Sequence, residues 1–234
     1  LMFPVQAIRN PLNAVAFPAM SQLQQEAALQ RTYYLRVTSL TALISMPLAA
    51  YLFVGSDALI ALLLGPRWEQ AASIFSWLAL AAFIQPASGL AGSLLLSSGQ
   101  GRRYLQCGLF NVIILSLCFV AGLPWGPLGV ACGYALGNYI VLYPWLRWAY
   151  AGSLVTFRDF AGSCAWPAGL SLIAAVLAWQ VRPLVMGLPP AVRLAAYASA
   201  FGGVILLAMT LTADGRAYWR TLKQDFQLGR SSRH

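Results

Sequence analysis

Charged side chains are scarce in this sequence. Only 9% of the 234 residues are Asp, Glu, Lys or Arg, whereas soluble domains carry about 25%. The chain has six acidic residues, which all lie at the ends of long apolar runs or between them, and its single histidine is His234. Acid–base catalysis needs such groups in pairs. The sequence therefore predicts that the chain is not an enzyme.

Patterns for metals and cofactors are equally sparse. Cys107, Cys118, Cys132 and Cys164 have neither CxxC spacing nor histidines nearby, so they do not form a recognisable metal site. The turn SSGQGRR at 97–103 lacks the glycine spacing of a phosphate-binding loop. We expect no metal and no cofactor, and we expect the cysteines to pack as small apolar residues.

Hydrophobic residues, in contrast, make up 59% of the chain. Uncharged runs of 20 to 43 residues separate the charges, and a membrane-spanning helix needs about 20 residues. The longest run is broken by GLPWGPLG at 122–129 and is interpreted as a helical hairpin. The runs are uniformly apolar, which favours helices over a barrel. The predicted fold is all-α, a polytopic membrane helical bundle with six complete spans near 37–55, 72–97, 104–122, 127–148, 162–181 and 193–213.

Lysine and arginine in the connections predict the orientation of the spans. If the first span starts inside, eleven cations lie in inner segments and three in outer ones. Both ends of the six-span set are therefore predicted to be cytoplasmic, followed by a basic tail at 214–234. The net charge of +9 is explained by this topology and by attraction to anionic membrane lipids, and it does not imply nucleic acid binding.

The first residues, 1–18, read as the second half of a helix that started upstream, so we expect a preceding segment. On this interpretation Arg9 lies roughly 13 Å inside the bilayer, where an ionised group marks a candidate functional site. An alternative remains open. Arg9 could snorkel to the headgroups, and Asn10 and Asn13 could be ordinary hydrogen-bond partners between helices.

Two local patterns predict helix starts. The segment DALIALLLG at 57–65 is too short to span a membrane and is interpreted as a helix on the outer surface. Ser56 and Asp57 are expected to cap its start. Thr156 and Asp159 are expected to form a capping pair at the start of a later helix.

Several segments resemble a known family: NPLNAVAFPAMSQLQ (10–24), SMPLAAYLFVGSDALIALLLGPRWEQAASIF (45–75), LLLSSGQGRR (94–103) and LPWGPLGVACGYALGNY (123–139). They are similar to the lipopolysaccharide and exopolysaccharide flippases, in the polysaccharide-transport branch of the multidrug/oligosaccharidyl-lipid/polysaccharide exporter superfamily. The resemblance implies a MATE-like transporter with two helical lobes around a central cavity. Residues 1–213 would be the C-terminal lobe, with the end of a preceding helix, and the N-terminal lobe would be missing.

The resemblance also implies a task. Such proteins move an oligosaccharide linked to undecaprenyl pyrophosphate from the cytoplasmic to the periplasmic leaflet of the bacterial inner membrane, by alternating access. The implied partners are this lipid-linked oligosaccharide, membrane lipids, the missing lobe, and polysaccharide polymerase or export machinery.

Candidate substrate-binding residues follow from the need to shelter sugar hydroxyls and phosphate charges from hydrocarbon. Arg9 is the candidate for the phosphate, and the candidates for polar cavity lining are Asn10, Asn13, Gln85, Ser88, Asn111 and Asn138. Each amide or hydroxyl could instead be a hydrogen bond in helix packing. Two rival functions remain: an ion-coupled multidrug exporter, which would ordinarily need an intramembrane acid, and a membrane glycosyl- or acyltransferase.

Overall fold

The computed structural model describes residue 18 and residues 20–211, and the regular secondary structure in that part of the chain is helical. Two 3-10 turns, Pro66–Trp68 and Leu123–Trp125, separate some of the helices. The all-α class is confirmed. The helices are α1 (Ala27–Val54), α2 (Ser56–Leu63), α3 (Glu69–Ser97), α4 (Gly101–Gly122), α5 (Gly126–Tyr150), α6 (Phe157–Val185) and α7 (Pro190–Leu211).

Five stretches of the described residues are long and apolar enough to cross a membrane. One of them, Gly101–Tyr150, is 50 residues long and contains both α4 and α5, so the predicted hairpin is confirmed. Each predicted span coincides with one long helix, and the helices extend beyond the apolar runs because their charged ends continue in helical form. The protein is a multi-pass membrane protein. The division at residue 213 and the basic tail lie outside the described residues and stay predictions.

The long helices pack as a row with α1 and α3 at its centre. On one side α6 packs on α1 and α7 on α6, and on the other side α5 packs on α3 and α4 on α5. The larger core cluster includes Tyr34, Met46, Leu90, Leu146 and Phe160. In a bilayer, van der Waals packing of this kind holds helices together because lipid tails are as apolar as the side chains.

Glycines bring α5 against α4. Gly129, Gly133 and Gly137 recur every four residues, so they share one face of α5. A Cβ atom on Gly133 would overlap the carbonyl oxygen of Cys118, and one on Gly129 would overlap that of Gly122. The two backbones therefore touch directly, and this contact is called the glycine seam below.

Ion pairs mark the two ends of the bundle. At one end, called the Arg31 end, Arg31 donates to Asp159 at 2.7 Å. At the other, called the Asp57 end, Asp57 pairs with Arg182 at 3.3 Å and with Arg193. The connections 98–100 and 151–156 lie at the Arg31 end, whereas α2 and the hairpin turn lie at the Asp57 end.

The two predicted helix starts have different outcomes. The capping pair is confirmed, since Thr156 and Asp159 form a reciprocal capping box at the start of α6. The prediction for α2 was wrong: the helix starts at Ser56, its N-cap is Gly55, and no side chain caps it. The Asp57 carboxylate binds two guanidinium groups instead, because each of them carries a full positive charge that a backbone N–H lacks.

Candidate functional site

A cavity of about 570 Å³, lined by amides, hydroxyls and aromatic rings together with aliphatic side chains, lies between α3, α4 and α5. Four of the seven residues predicted to bind substrate line it, and the structure brings them together from three helices: Gln85 and Ser88 from α3, Asn111 from α4 and Asn138 from α5. Their role as substrate ligands stays a prediction. Arg9, Asn10 and Asn13 lie outside the described residues.

Helix periodicity explains why these side chains share one space. On α3 the lining residues include Gln85, Ser88 and Gly92, and on α5 they include Asn138 and Trp145. These spacings of three, four and seven residues place each set on one helix face. Because α4 packs mainly on α5, the space between α4 and α3 is left open.

An amide network forms the floor of the cavity. The Gln85 Nε2 group donates to Asn138 Oδ1 at 3.0 Å and also to the Tyr134 hydroxyl. Asn138 Nδ2 in turn donates to the Tyr134 carbonyl oxygen at 2.8 Å. Within the described residues these bonds leave Gln85 Oε1 as an acceptor and the second N–H of Asn138 as a donor. A ligand could use both.

Aromatic side chains form the walls. The rings of Tyr104 and Trp145 meet edge to face with centroids 6.5 Å apart, and the Trp145 Nε1 group donates to the Ser88 carbonyl oxygen at 3.2 Å. Gly92 makes room for Tyr104, since a Cβ there would lie 2.9 Å from the tyrosine ring. The sequence interpretation missed these aromatics because such residues are common in membrane helices at core and interfacial positions.

None of the lining residues carries a formal charge. Amides and hydroxyls bind hydroxyl groups through neutral hydrogen bonds, and aromatic faces pack on the apolar faces of a ring. The lining therefore suits a neutral, polyhydroxylated ligand better than an ion. No group of three or more His, Cys, Asp or Glu that could hold a metal occurs among residues 18 and 20–211.

A second pocket, of about 390 Å³, lies at the Arg31 end. Arg103 is close to it: this residue donates to Gln100 Oε1 at 2.8 Å and to the Ala151 carbonyl oxygen. Tyr104, the next residue, lines the cavity, so the two spaces are neighbours. The sequence predicts only a turn at 97–103 in this region. The polar residues lining the pocket are Gln24, Gln30, Arg31, Ser98, Gln100 and Ser153.

Comparisons with known proteins agree with the earlier resemblance. A family model described as "Polysaccharide biosynthesis protein" matches residues 1–73. The chain is 33% identical over 135 residues to the teichuronic acid biosynthesis protein TuaB of Bacillus subtilis, which covers 57% of this chain and 28% of that protein. It is 24% identical over 183 residues to the lipopolysaccharide biosynthesis protein WzxC of Escherichia coli, covering 76% of this chain and 37% of that protein.

The chain thus spans well under half the length of these curated relatives. No solved structure gives a significant match. The relatives and the family model concern polysaccharide biosynthesis, and the described residues form a multi-pass helical bundle. Together these findings confirm the resemblance of the chain to the polysaccharide-transport family.

Proposed function

We propose that this chain is one lobe of a transporter that flips an oligosaccharide linked to undecaprenyl pyrophosphate from the cytoplasmic to the periplasmic leaflet of the inner membrane. The observation that carries the proposal is the uncharged cavity of amides and aromatics inside a membrane bundle. Desolvating unpaired hydroxyls in hydrocarbon costs several kcal/mol each. A lining that replaces water lowers this barrier without breaking a covalent bond.

The roles within the cavity follow from its hydrogen bonds. Gln85 and Asn138 are held by each other and by Tyr134, so their free acceptor and donor are preorganised for sugar hydroxyls. Tyr104 and Trp145 would pack on the sugar rings. This lining has no cation for the pyrophosphate, and we assign that role to Arg9, which the predicted topology places within the bilayer.

Alternating access requires the cavity to face one side at a time. The cavity extends to Tyr104 and Trp145, near the ends of α4 and α5 at the Arg31 end. The predicted topology places that end in the cytoplasm, where lipid-linked oligosaccharides would be loaded. The second lobe of the transporter would complete the cavity on the opposite side.

The two rival functions require groups that the lining of this cavity does not contain. An ion-coupled exporter would ordinarily use an acid within the membrane, whereas Asp57 and Asp159 lie at helix ends in ion pairs. A transferase would need acids, bases or a metal facing its acceptor. The transport experiment below separates these functions, because only a flippase moves the intact lipid-linked sugar.

Polysaccharide export tests the proposal directly. In full-length protein, Gln85→Leu, Asn138→Leu and Arg9→Ala should each reduce export at least about tenfold, since each removes a group worth about 1.5 kcal/mol or more to a desolvated ligand. Export would be measured in a strain that lacks its own transporter, together with the lipid-linked intermediate in spheroplasts. That intermediate should accumulate unmodified on the cytoplasmic side.

The matched control is Gln106→Leu, since Gln106 lies on α4, is exposed and does not line the cavity. It should export normally. Normal export by stably inserted Gln85→Leu and Asn138→Leu variants would remove the cavity from the mechanism, and normal export by Arg9→Ala would remove the phosphate assignment. A covalently changed lipid-linked product that depends on the protein would favour the transferase.

A further inference from the structure

A cluster of three charged side chains joins α2, α6 and α7 at the Asp57 end. The Asp57 Oδ2 atom accepts hydrogen bonds from Arg182, at 3.3 Å, and from Arg193. The side chains are mostly buried, with 29%, 25% and 13% of their surfaces exposed for Asp57, Arg182 and Arg193. Nothing in the proposed transport of sugars uses this cluster.

The cluster has one positive charge more than the carboxylate can balance. Two guanidinium groups share a single carboxylate oxygen, and both arginine Nε–H donors are buried with no acceptor among the described residues. The other carboxylate oxygen, Asp57 Oδ1, is a buried acceptor that lacks a donor. Burying a charge without a counter-charge is unfavourable. The other charged residues at this end, Arg67 and Glu69, are exposed and therefore screened by water. The cluster of Asp57, Arg182 and Arg193 therefore has a net positive charge that a bound anion would neutralise.

A small pocket of about 220 Å³ adjoins this cluster. Arg182 lines the pocket, and its guanidinium carbon lies 4.9 Å from the centre of the Trp179 ring, which holds the arginine by a cation–π interaction. Hydroxyl groups face the same space. A guanidinium and hydroxyl groups can donate hydrogen bonds to an oxyanion, and the second arginine of the cluster, Arg193, offsets the charge of the Asp57 carboxylate that also lines the pocket. The remaining lining residues are Phe53, Ser56, Asp57, Ala72, Ser73 and Ser76.

We propose that this pocket binds the phosphate group of a membrane phospholipid. The volume of about 220 Å³ is sufficient for a phosphate group. The spanning helices α1, α3 and α6 each line the pocket near one of their ends, which places it at the depth of lipid headgroups. The start of α2 lines the pocket, and its other end exposes Leu62, Leu63 and Leu64 by 50%, 68% and 51%, an apolar surface against which acyl chains can lie.

The cluster of Asp57, Arg182 and Arg193 contains more charges than an ion pair that only links two helices would need. Asp57 with Arg193 alone would join α2 to α7 as a neutral pair, and Arg182 would then be unnecessary. A phospholipid phosphate supplies the missing negative charge, because a guanidinium binds phosphate through charge-assisted hydrogen bonds. The site is separate from the sugar cavity, and it holds whether or not the sugar is the transported molecule.

Native mass spectrometry of the full-length protein in detergent tests the site. The probes are phosphatidylglycerol, the diacylglycerol with the same acyl chains, and inorganic phosphate. Wild-type protein should retain one phosphatidylglycerol and not the diacylglycerol. Arg182→Gln should weaken that retention about tenfold, the effect of one charge-assisted bond, while leaving a neutral Asp57 and Arg193 pair that keeps the fold.

Removing the acid and removing an arginine should change phosphatidylglycerol retention in opposite directions. Asp57→Asn should strengthen phosphatidylglycerol retention, because it raises the excess positive charge. Arg67→Gln is the matched control, an exposed arginine at the same end, and it should retain the lipid as wild type does. Equal retention by wild type and Arg182→Gln would overturn the proposal. So would binding of inorganic phosphate with no preference for the lipid, or equal retention of the diacylglycerol.

Discussion

The two ends of the α4 and α5 hairpin are packed in opposite ways. Near the hairpin turn the helices touch backbone to backbone along the glycine seam. Toward the Arg31 end the same helices carry Asn111, Asn138 and Trp145 and border the open cavity. One pair of helices thus combines a backbone contact near the turn with aromatic side-chain contacts beside a cavity at the other end.

The difference in packing between the two ends of the hairpin comes from the size of the side chains on α5. Small residues allow close approach of membrane helices, and at the seam the chain has Gly129, Gly133 and Gly137 on one face of α5. Beyond the seam the same face continues with the larger residues Val141 and Trp145, so the two backbones cannot approach as closely there. A hinge at the seam would let the Arg31 end of α4 move while the fold persists. The predictions below test this division.

The largest effect is expected at the centre of the seam. Gly133→Leu would drive a side chain into the Cys118 carbonyl, and backbone cannot yield as a flexible side chain can. We expect a loss of about 3 kcal/mol or more, seen as loss of folded protein in detergent by size-exclusion chromatography and thermal melting.

The matched control for this variant is Gly162→Leu on α6. A Cβ atom at Gly162 meets no other atom within 4 Å, so this variant should stay folded although it adds the same side chain. If Gly133→Leu melts at the same temperature as Gly162→Leu, the seam does not hold the hairpin.

The sequence predicted the helices better than their contacts. Apolar run lengths and the 122–129 turn located the spans, since a hydrocarbon layer about 30 Å thick imposes span lengths directly. The four polar residues Gln85, Ser88, Asn111 and Asn138 stood out because polar groups are rare in such runs. Their clustering depends on which helix faces meet, and single-helix patterns do not contain that information.

The ion pairs, too, could not be predicted from the patterns of single helices. Arg31 and Asp159 are 128 residues apart in sequence, and Asp57 and Arg193 are 136 apart. The sequence placed each of these charges at a span end, and their pairing required the packing of α1 on α6 and of α2 on α7. The sequence predicts a helix cap at Asp57 because a capping pattern depends on neighbouring residues alone.

An intermediate effect is expected in the wall of the cavity. Tyr104→Ala would remove the edge-to-face contact with Trp145, worth about 1 kcal/mol, and with it the ring proposed to pack on sugars. We expect export to fall several-fold while the melting temperature changes by only a few degrees. Tyr104→Phe keeps the ring and should export nearly normally; if it fails as badly as Tyr104→Ala, the hydroxyl rather than the ring is required.

The smallest effect is expected at the Arg31 end, where Arg103 ties the start of α4 to the chain after α5 through the Ala151 carbonyl. Arg103→Ala should cost about 1 kcal/mol, because the bond is charge-assisted but only partly buried. Since the glycine seam remains, the fold should persist while the cavity end of α4 moves more freely.

A cysteine introduced at Leu105, which lines the cavity, should then react faster with a water-soluble thiol reagent in Arg103→Ala than in its parent. Arg102→Ala is the neighbouring control, since Arg102 is exposed, and should leave that rate unchanged. Equal labelling rates in the parent, Arg103→Ala and Arg102→Ala proteins would mean that packing, and not Arg103, holds the cavity end of α4. The two ends of the hairpin would then differ in the shape of their contacts and not in their mobility.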